Sequence, residues 1–371
     1  MKILVHYPFV PHYRKPVFKK FEFSEQDDFI FMSDWKGDSS GIKLISEDEF
    51  NATYKTSYIR WPLPFLESKL EFETGVLNVL LKEHGKVYII LGNINLISSW
   101  VYSIFARILG YRVIMWTHGL IRDERGVKLF LRKTYYSLAD KLIVYGDRAK
   151  TLLFEKGIEN VEVIYNSLDF EDQKRSLDFV ESSSEIRRKC KIPDEAIAFI
   201  TCSRLVKKFK LDQLIRNLDF VNRQTDRQLV LILVGDGELM DDLKRQASSC
   251  SLKVIFAGAI YDNKKLAEIF SISKACIVTG PVGLIAMNSM GFGVPIITHD
   301  NLDLHMPEIE AVLSFGYLYK EKCRTSFLEC IQRVIASDSK VNKLRCMDII
   351  SSRYTAKNQL EIMQKILDEY R

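Results

Sequence analysis

The chain has 371 residues, 47% of them hydrophobic and 27% charged, and a formal net charge of +5. Such a length exceeds one ordinary core and suits two domains of globular, soluble-type composition. The mild basic balance favours an anionic partner, such as a phosphorylated substrate or a membrane surface, and with no motif behind it gives no case for nucleic acid.

The apolar run at the start, Met-Lys-Ile-Leu-Val-His, predicts a strand over 2–6 and is too short for a signal peptide. His12-Tyr-Arg-Lys follows it. Val- and Ile-rich runs predict further strands over 87–91, 113–116, 142–145 and 161–165. They lack polar alternation, as strands buried on both faces do. Thr117-His118-Gly119 closes the strand over 113–116. Residues 125–138 predict a basic amphipathic helix with an apolar stripe of Val127, Phe130, Leu131, Tyr135 and Leu138. It suits an anionic membrane surface, but the simpler reading is a helix packed on the sheet with its charges in water.

A polar stretch around 169–189 then interrupts the series, and the boundary is placed there: one domain over 1–170, a linker over 171–189, a second domain over 190–354. The second series has strands over 196–201, 229–234, 253–256, 275–278 and 294–298, with helices between them, for instance over 212–218 and 264–271. This alternation predicts an α/β fold with parallel sheets. Residues 355–371 place Leu360, Met363, Ile366 and Leu367 on one helical face. No uncharged apolar stretch is long enough for a transmembrane helix. The seven cysteines all lie at or after Cys190, with no Cys-x-x-Cys pair, which argues against a disulfide framework or a structural zinc site and for a reducing, cytoplasmic compartment.

Three segments of the second half bear chemistry. After the strand over 275–278, Pro281-Val-Gly283 turns into a helix opened by Leu284 and Ile285. Free N–H groups and the positive end of the helix dipole suit a diphosphate there. Such strand–turn–helix joints also occur in any α/β fold. Arg204, Lys207, Lys208 and Lys210 cluster directly after the strand over 196–201, at the edge where parallel sheets bind ligands. Cations there neutralise a leaving phosphate; the competing reading is a solvated loop. Val234-Gly-Asp-Gly-Glu reads as an ordinary turn, with Asp236 or Glu238 capping the next helix. In the first half, His12 and His118 follow strands and would face a cleft between the domains, where His118 either hydrogen-bonds a sugar or phosphate or serves a structural bond.

Ser203-Arg-Leu-Val, Val234-Gly-Asp-Gly-Glu, Phe256-Ala-Gly, Val282-Gly-Leu-Ile-Ala-Met and Gly293-Val-Pro-Ile-Ile, in this order and spacing, resemble the GT-B glycosyltransferases of family 4. Tyr165-Asn-Ser-Leu-Asp looks like that family's motif at the end of the first domain. Tyr7-Pro-Phe-Val-Pro-His-Tyr-Arg and Thr298-His-Asp-Asn, with Met306-Pro-Glu, look like the bacterial group that builds O-antigen, capsule and exopolysaccharide. The resemblance implies two Rossmann-like domains with parallel sheets facing across a cleft, the terminal helix crossing back onto the first. It implies retaining transfer of a sugar from a nucleotide sugar on the second domain to an acceptor on the first, with no cofactor. The acceptor would be a saccharide linked to polyprenyl diphosphate, reached by peripheral contact at the inner face of the plasma membrane. Carried over by position, Arg204 and one of Lys208 or Lys210 hold the diphosphate. The backbone of Gly283, Leu284 and Ile285 takes its oxygens, and the base lies near Ile260. His118 touches the sugar or leaving phosphate, and His12 and Arg14 stand on the acceptor side.

Three positions depart from the family. Its two glutamates fall on Gly280 and Asn288, and the lysine of its basic loop on Phe209. Asn288 keeps hydrogen-bonding capacity without charge. Glu308 and Glu310 are candidate substitute carboxylates. No Asp-x-Asp triplet suggests a metal-bridged diphosphate. Two other readings stay open: a catalytically degenerate scaffold that binds a glycan or partner, and a nucleotide-sugar epimerase, against which the missing carboxylate at 280 argues. A nicotinamide dehydrogenase fails for want of a glycine-rich fingerprint after the first strand.

Overall fold

A computed structural model describes residues 1–35, 44–50, 53–62 and 69–371. Two compact units divide the chain: Met1–Tyr165 with Ala356–Arg371, and Asn166–Thr355.

In the first unit the strands are β1 (Lys2–His6), β2 (Asp28–Ser33), β3 (Thr53–Lys55), β4 (Ser57–Pro62), β5 (Lys69–Thr74), β6 (Val87–Leu91), β7 (Arg112–Trp116), β8 (Lys141–Val144) and β9 (Val161–Val163). Seven form one parallel sheet in the order β3-β2-β1-β6-β7-β8-β9, and β4 pairs antiparallel with β5. Both faces of the sheet are covered, which is why its strands read as unbroken apolar runs. On one face Val17, Phe18 and Phe21 of the helix Lys15–Glu22 meet Ala356, Met363, Ile366 and Leu367 of the helix Ala356–Asp368. The apolar stripe predicted for the terminal helix therefore completes the first unit's core, with Leu360 half-buried at its margin. Gln359 fastens it further, its Nε2 donating to the Tyr165 carbonyl at 2.6 Å.

The second unit's strands are β10 (Ile197–Cys202), β11 (Leu229–Val234), β12 (Lys253–Gly258), β13 (Ala275–Val278), β14 (Ile296–His299) and β15 (Tyr317–Tyr319). They form one parallel sheet in the order β12-β11-β10-β13-β14-β15. β10 thus lies beside β13, and its C-terminal end beside theirs.

Three expectations are corrected. The supposed linker over 171–189 consists largely of two helices of the second unit, Phe170–Leu177 and Ser183–Lys189, and the boundary falls at Tyr165. Its Asp and Ser residues include the N-caps: Asp169 accepts from the Asp172 N–H and Ser182 from the Glu185 N–H. Buried Phe170, Gln173 and Ile186 anchor these helices, a sparse pattern hidden among charges. The basic helix, Gly126–Tyr136, buries only Tyr135 and Tyr136, while Val127 and Phe130 stand 74% and 67% exposed. The reading of that helix as packed on the sheet with its charges in water holds at its last turn and fails over its first two. The sequence reading also passed over β2, β3, the β4–β5 pair and β15. β3 and β15 have three residues each, too few for a periodicity to register.

Candidate functional site

Past Cys202 the chain crosses the sheet edge as a basic loop, with one 3-10 turn at Lys207–Phe209. Two neighbouring segments set its path. On one side the turn after β11 is bonded to it through backbone alone. Ser203 N–H donates to Val234 O at 3.0 Å, Leu205 N–H to Asp236 O at 2.8 Å, and Leu239 N–H to Leu205 O at 3.0 Å. Only glycine allows so close an approach. A Cβ on Gly235 would lie 1.9 Å from Ser203 O, and one on Gly237 2.7 Å from Leu205 O. Both residues also hold positive φ, 145° and 154°. The capping role expected of Asp236 or Glu238 is therefore corrected. The next helix, Met240–Ser248, is preceded by Leu239 with no side-chain cap, and the Gly-Asp-Gly turn instead holds the backbone on both sides of Arg204.

On the other side the end of β13 is fastened to the same loop. Thr279 Oγ1 donates to Phe209 O at 2.8 Å. A Cβ on Gly280 would come within 2.6 Å of Phe209 Cα and 2.7 Å of Lys208 O. The backbone of the basic loop thus fills the space that any side chain at 280 would enter.

The three candidate cations are not equivalent. Arg204 and Lys208 are exposed, and the Lys208 ammonium sits 5.0 Å from the Phe209 ring centre. Partial burial, and then the charge of Arg204, lower the Lys208 pKa. Lys210, in a left-handed conformation at φ 51°, turns away to pair with Glu321 at 3.2 Å and lines a separate cavity.

After Gly280 the turn is held by an imidazole pair. Buried His305 accepts from the Val282 N–H through Nδ1 at 3.0 Å and donates from Nε2 to His299 O at 2.9 Å, which fixes its tautomer. His299 stacks on it with ring centres 4.2 Å apart. Met306 N–H closes the arrangement on Val282 O at 2.9 Å. The helix Ile285–Gly291 follows. Among the described residues, the N–H groups of Gly283, Leu284 and Ile285 have no partner, as befits a first turn. A Cβ on Gly283 would meet only Met306, at 3.7 Å, and its φ is not positive.

The remaining candidates of this unit surround that turn. Asn288 is half-buried, its Oδ1 accepting from Nε2 of buried Gln173 at 2.8 Å, so its own NH2 is what it has left to offer. Glu308 is buried and hydrogen-bonded to Asn166; Glu310 is half-buried in the first turn of Ile309–Ser314. Ile260 is half-buried in the loop after β12.

The first unit collects its own candidates at the ends of β1, β7 and β8. Arg14 is buried, donates from Nη2 to the Tyr145 hydroxyl at 2.6 Å and lies 5.3 Å from the Trp116 ring centre. His118 stands edge-on to Tyr145 at 5.0 Å and is exposed. Crowding around the ring, and then the Arg14 charge, push its pKa down to about 4. The ring is therefore neutral at pH 7. His12 is half-buried, its ring edge-on to Tyr13 at 5.8 Å. Tyr145 joins these residues and was not foreseen, since a tyrosine ending a strand reads as core.

A braced arginine, a neighbouring lysine and three open N–H groups thus share one edge of a parallel sheet. Residues 182–346 match the family described as glycosyl transferases group 1. The chain is similar to the alpha-monoglucosyldiacylglycerol synthase of Streptococcus pneumoniae, at 24% identity over 271 residues, covering 70% of this chain and 56% of the relative. It is also similar to a Campylobacter jejuni GalNAc-alpha-(1->4)-GalNAc-alpha-(1->3)-diNAcBac-PP-undecaprenol alpha-1,4-N-acetyl-D-galactosaminyltransferase, at 24% identity over 165 residues, 44% of this chain and 42% of that one. The matches span about half the length of these relatives. Among solved structures, Anabaena Alr3699/HepE in complex with UDP superposes with a TM-score of 0.72 at 16% identity, covering 100% of both chains. The two Rossmann-like units therefore have the GT-B fold expected from sequence.

Proposed function

We propose that this chain is a retaining glycosyltransferase. It moves a sugar from a nucleotide-sugar donor, bound on the second unit, to a lipid-linked saccharide acceptor in the building of bacterial surface polysaccharide. The observation that carries the donor reading is the gathering of Arg204, Lys208 and the N–H groups of Gly283, Leu284 and Ile285 at the adjoining ends of β10 and β13. Breaking a sugar–phosphate bond leaves negative charge on the nucleoside diphosphate. Fixed cations and N–H groups aimed at that charge stabilise it as it forms. The two protein cations take the part a divalent metal plays elsewhere. Ile260 stands beside the base, Asn288 donates its NH2 to the ribose, and neutral His118 hydrogen-bonds the sugar or leaving phosphate. Arg14 and His12 serve the acceptor.

A lipid-linked acceptor draws support from the surface of the first unit. Ile104, Phe105, Ile108, Val127, Phe130 and Leu131 are all exposed large apolar side chains. Residues 97–133 carry seven Arg and Lys against two acidic residues, a surplus equal to the +5 of the whole chain. Exposed apolar side chains on a segment of net positive charge suit peripheral contact with an anionic bilayer, here the inner face of the plasma membrane, although Arg107 and Arg112 pair with Asp140 just beyond that segment. The two bacterial relatives, named for acting on a diacylglycerol lipid and an undecaprenyl-linked saccharide, point the same way.

Calorimetric titration with UDP, GDP and their sugars tests the donor site: one nucleotide should bind the wild type and bind Arg204→Gln about 100-fold more weakly. Transfer should survive EDTA, and NMR of the product should show the donor's anomeric configuration. Binding without transfer or donor hydrolysis would favour the second reading, a scaffold without catalysis, which Gly280 and the engagement of Asn288 by Gln173 motivate.

A further inference from the structure

Behind the basic loop, on the side to which Lys210 turns, the second unit holds a cavity of about 270 Å³. Its walls come from the ends of β13, β14 and β15, from the first two turns of the helix Leu211–Asn222 and from the start of the helix Arg324–Ala336. Neither helix has a side-chain N-cap. Four cations line the space, Lys210, Arg216, Lys322 and Arg324, against one carboxylate, Glu321. Glu321 is already held by Asn301 Nδ2 at 2.8 Å and by Lys210, and these bonds, Asn301 first, keep its pKa low. Arg216 pairs with Asp212 on the surface. Among the described residues, Lys322 and Arg324 have no carboxylate partner; Arg324 Nε donates to Asn217 Oδ1 at 3.3 Å and its guanidinium lies 5.1 Å from the Phe220 ring centre. The charges of Lys322 and Arg324 are therefore uncompensated.

A second, independent observation concerns His299, which also lines the cavity. It is 2% exposed, and its buried Nδ1 has no hydrogen-bond partner among the described residues. An orphaned polar atom in such a place marks a missing partner. The donor chemistry assigned above uses none of Arg216, Lys322 or Arg324, and of His299 only the carbonyl and ring face that meet His305.

We propose that this cavity binds a small phosphorylated metabolite of about hexose phosphate size, at a site separate from Arg204 and Lys208. Phosphate is the class that fits, because several cations and two uncapped helix N-termini converge on one space. The volume lies just below the range of about 300–1,000 Å³ usual for organic ligands, larger than a bare phosphate needs. Thr279 and the 207–210 loop form the wall between this cavity and the donor cations. A ligand that draws Lys210 away from Glu321 therefore acts on the backbone that carries Lys208, and occupancy of the cavity shifts donor affinity.

The test is isothermal titration of the full chain with glucose 6-phosphate and with inorganic phosphate. Three proteins are compared: wild type, Arg204→Gln and the double variant Lys322→Gln/Arg324→Gln, whose substituted side chains are both exposed. Saturable binding of the sugar phosphate to wild type and Arg204→Gln alike is expected, with about tenfold or greater loss in the double variant. Circular dichroism melting controls for the fold, and the charge-conserving double variant Lys322→Arg/Arg324→Lys should keep the binding that Lys322→Gln/Arg324→Gln loses. Absence of saturable binding, or a loss in Arg204→Gln with none in the double variant, overturns the proposal. Equal affinity for inorganic phosphate overturns its organic part. The donor reading is judged separately, by nucleotide binding in the same proteins.

Discussion

Two glycine turns flank the basic loop, and they use glycine for opposite reasons. At Gly235 and Gly237 the protein itself leaves no room: a Cβ would strike the backbone of Ser203 and Leu205. At Gly283 a Cβ would make only ordinary contact with Met306, and the φ is one any residue adopts. The first turn is glycine because the fold demands it. Nothing in the fold demands it at the second, where the small residue leaves the open N–H groups accessible to a ligand. The braces differ as well. Backbone hydrogen bonds secure the first turn, while the second depends on the His305–His299 pair. Stability and ligand binding should therefore separate when the two turns are altered.

The largest effect is expected from Gly235→Val, which forces the Cβ overlap and a strained φ; urea unfolding should show a loss of about 4 kcal/mol or more, or no folded protein. A loss under 1 kcal/mol would show that the brace yields. Restoring the family carboxylate by Gly280→Glu should also fail, because the loop backbone occupies the space: about 1–3 kcal/mol of overpacking and no gain in transfer. A rise in turnover with an unchanged melting temperature would refute that account. Gly283→Ala inverts the pattern, with stability held to within about 0.5 kcal/mol but nucleotide affinity down about tenfold. Equal loss of both would erase the distinction between the turns.

Smaller effects follow at the margins of the second turn. Asn288→Ala should weaken donor binding a few-fold, about 1 kcal/mol, more than it slows chemistry, as the donor titration and single-turnover rates would show. The imidazole brace gives a pH signature. Burial, then the His305 charge, push the His299 pKa down to about 4, from an ordinary value of 6.5. Between those values the unfolded chain binds a proton that the folded one refuses, so this stability is complete above pH 6.5 and declines as pH falls towards about 4. Thermal melts across this window should flatten in His299→Phe; identical slopes would remove His299 as the cause.

Much of the site was legible in the sequence because it rests on local order. Arg204 directly follows a buried strand, and Pro281-Val-Gly283 directly precedes a helix, so each falls at a strand's C-terminal end whatever the rest of the fold does. The status of Gly280 was not legible. Its missing side chain reads as a lost carboxylate, whereas contact with Lys208 and Phe209, some 70 residues away, shows that no side chain fits. Lys208 and Lys210 looked interchangeable two positions apart, yet a left-handed backbone turns Lys210 to Glu321, while Lys208 stays exposed.

By itself, then, the sequence determined the alternation of strand and helix, the parallel sheets and the amphipathic terminal helix, because hydrophobic period and length are properties of contiguous residues. It also determined which strand ends carry charge. The tertiary structure decided the boundary at Tyr165, the two glycines that hold Arg204, the histidine that holds the Gly283 turn, and the cavity behind Lys210. Each of these depends on atoms brought together from distant parts of the chain, where close packing leaves no tolerance and no local pattern records the contact.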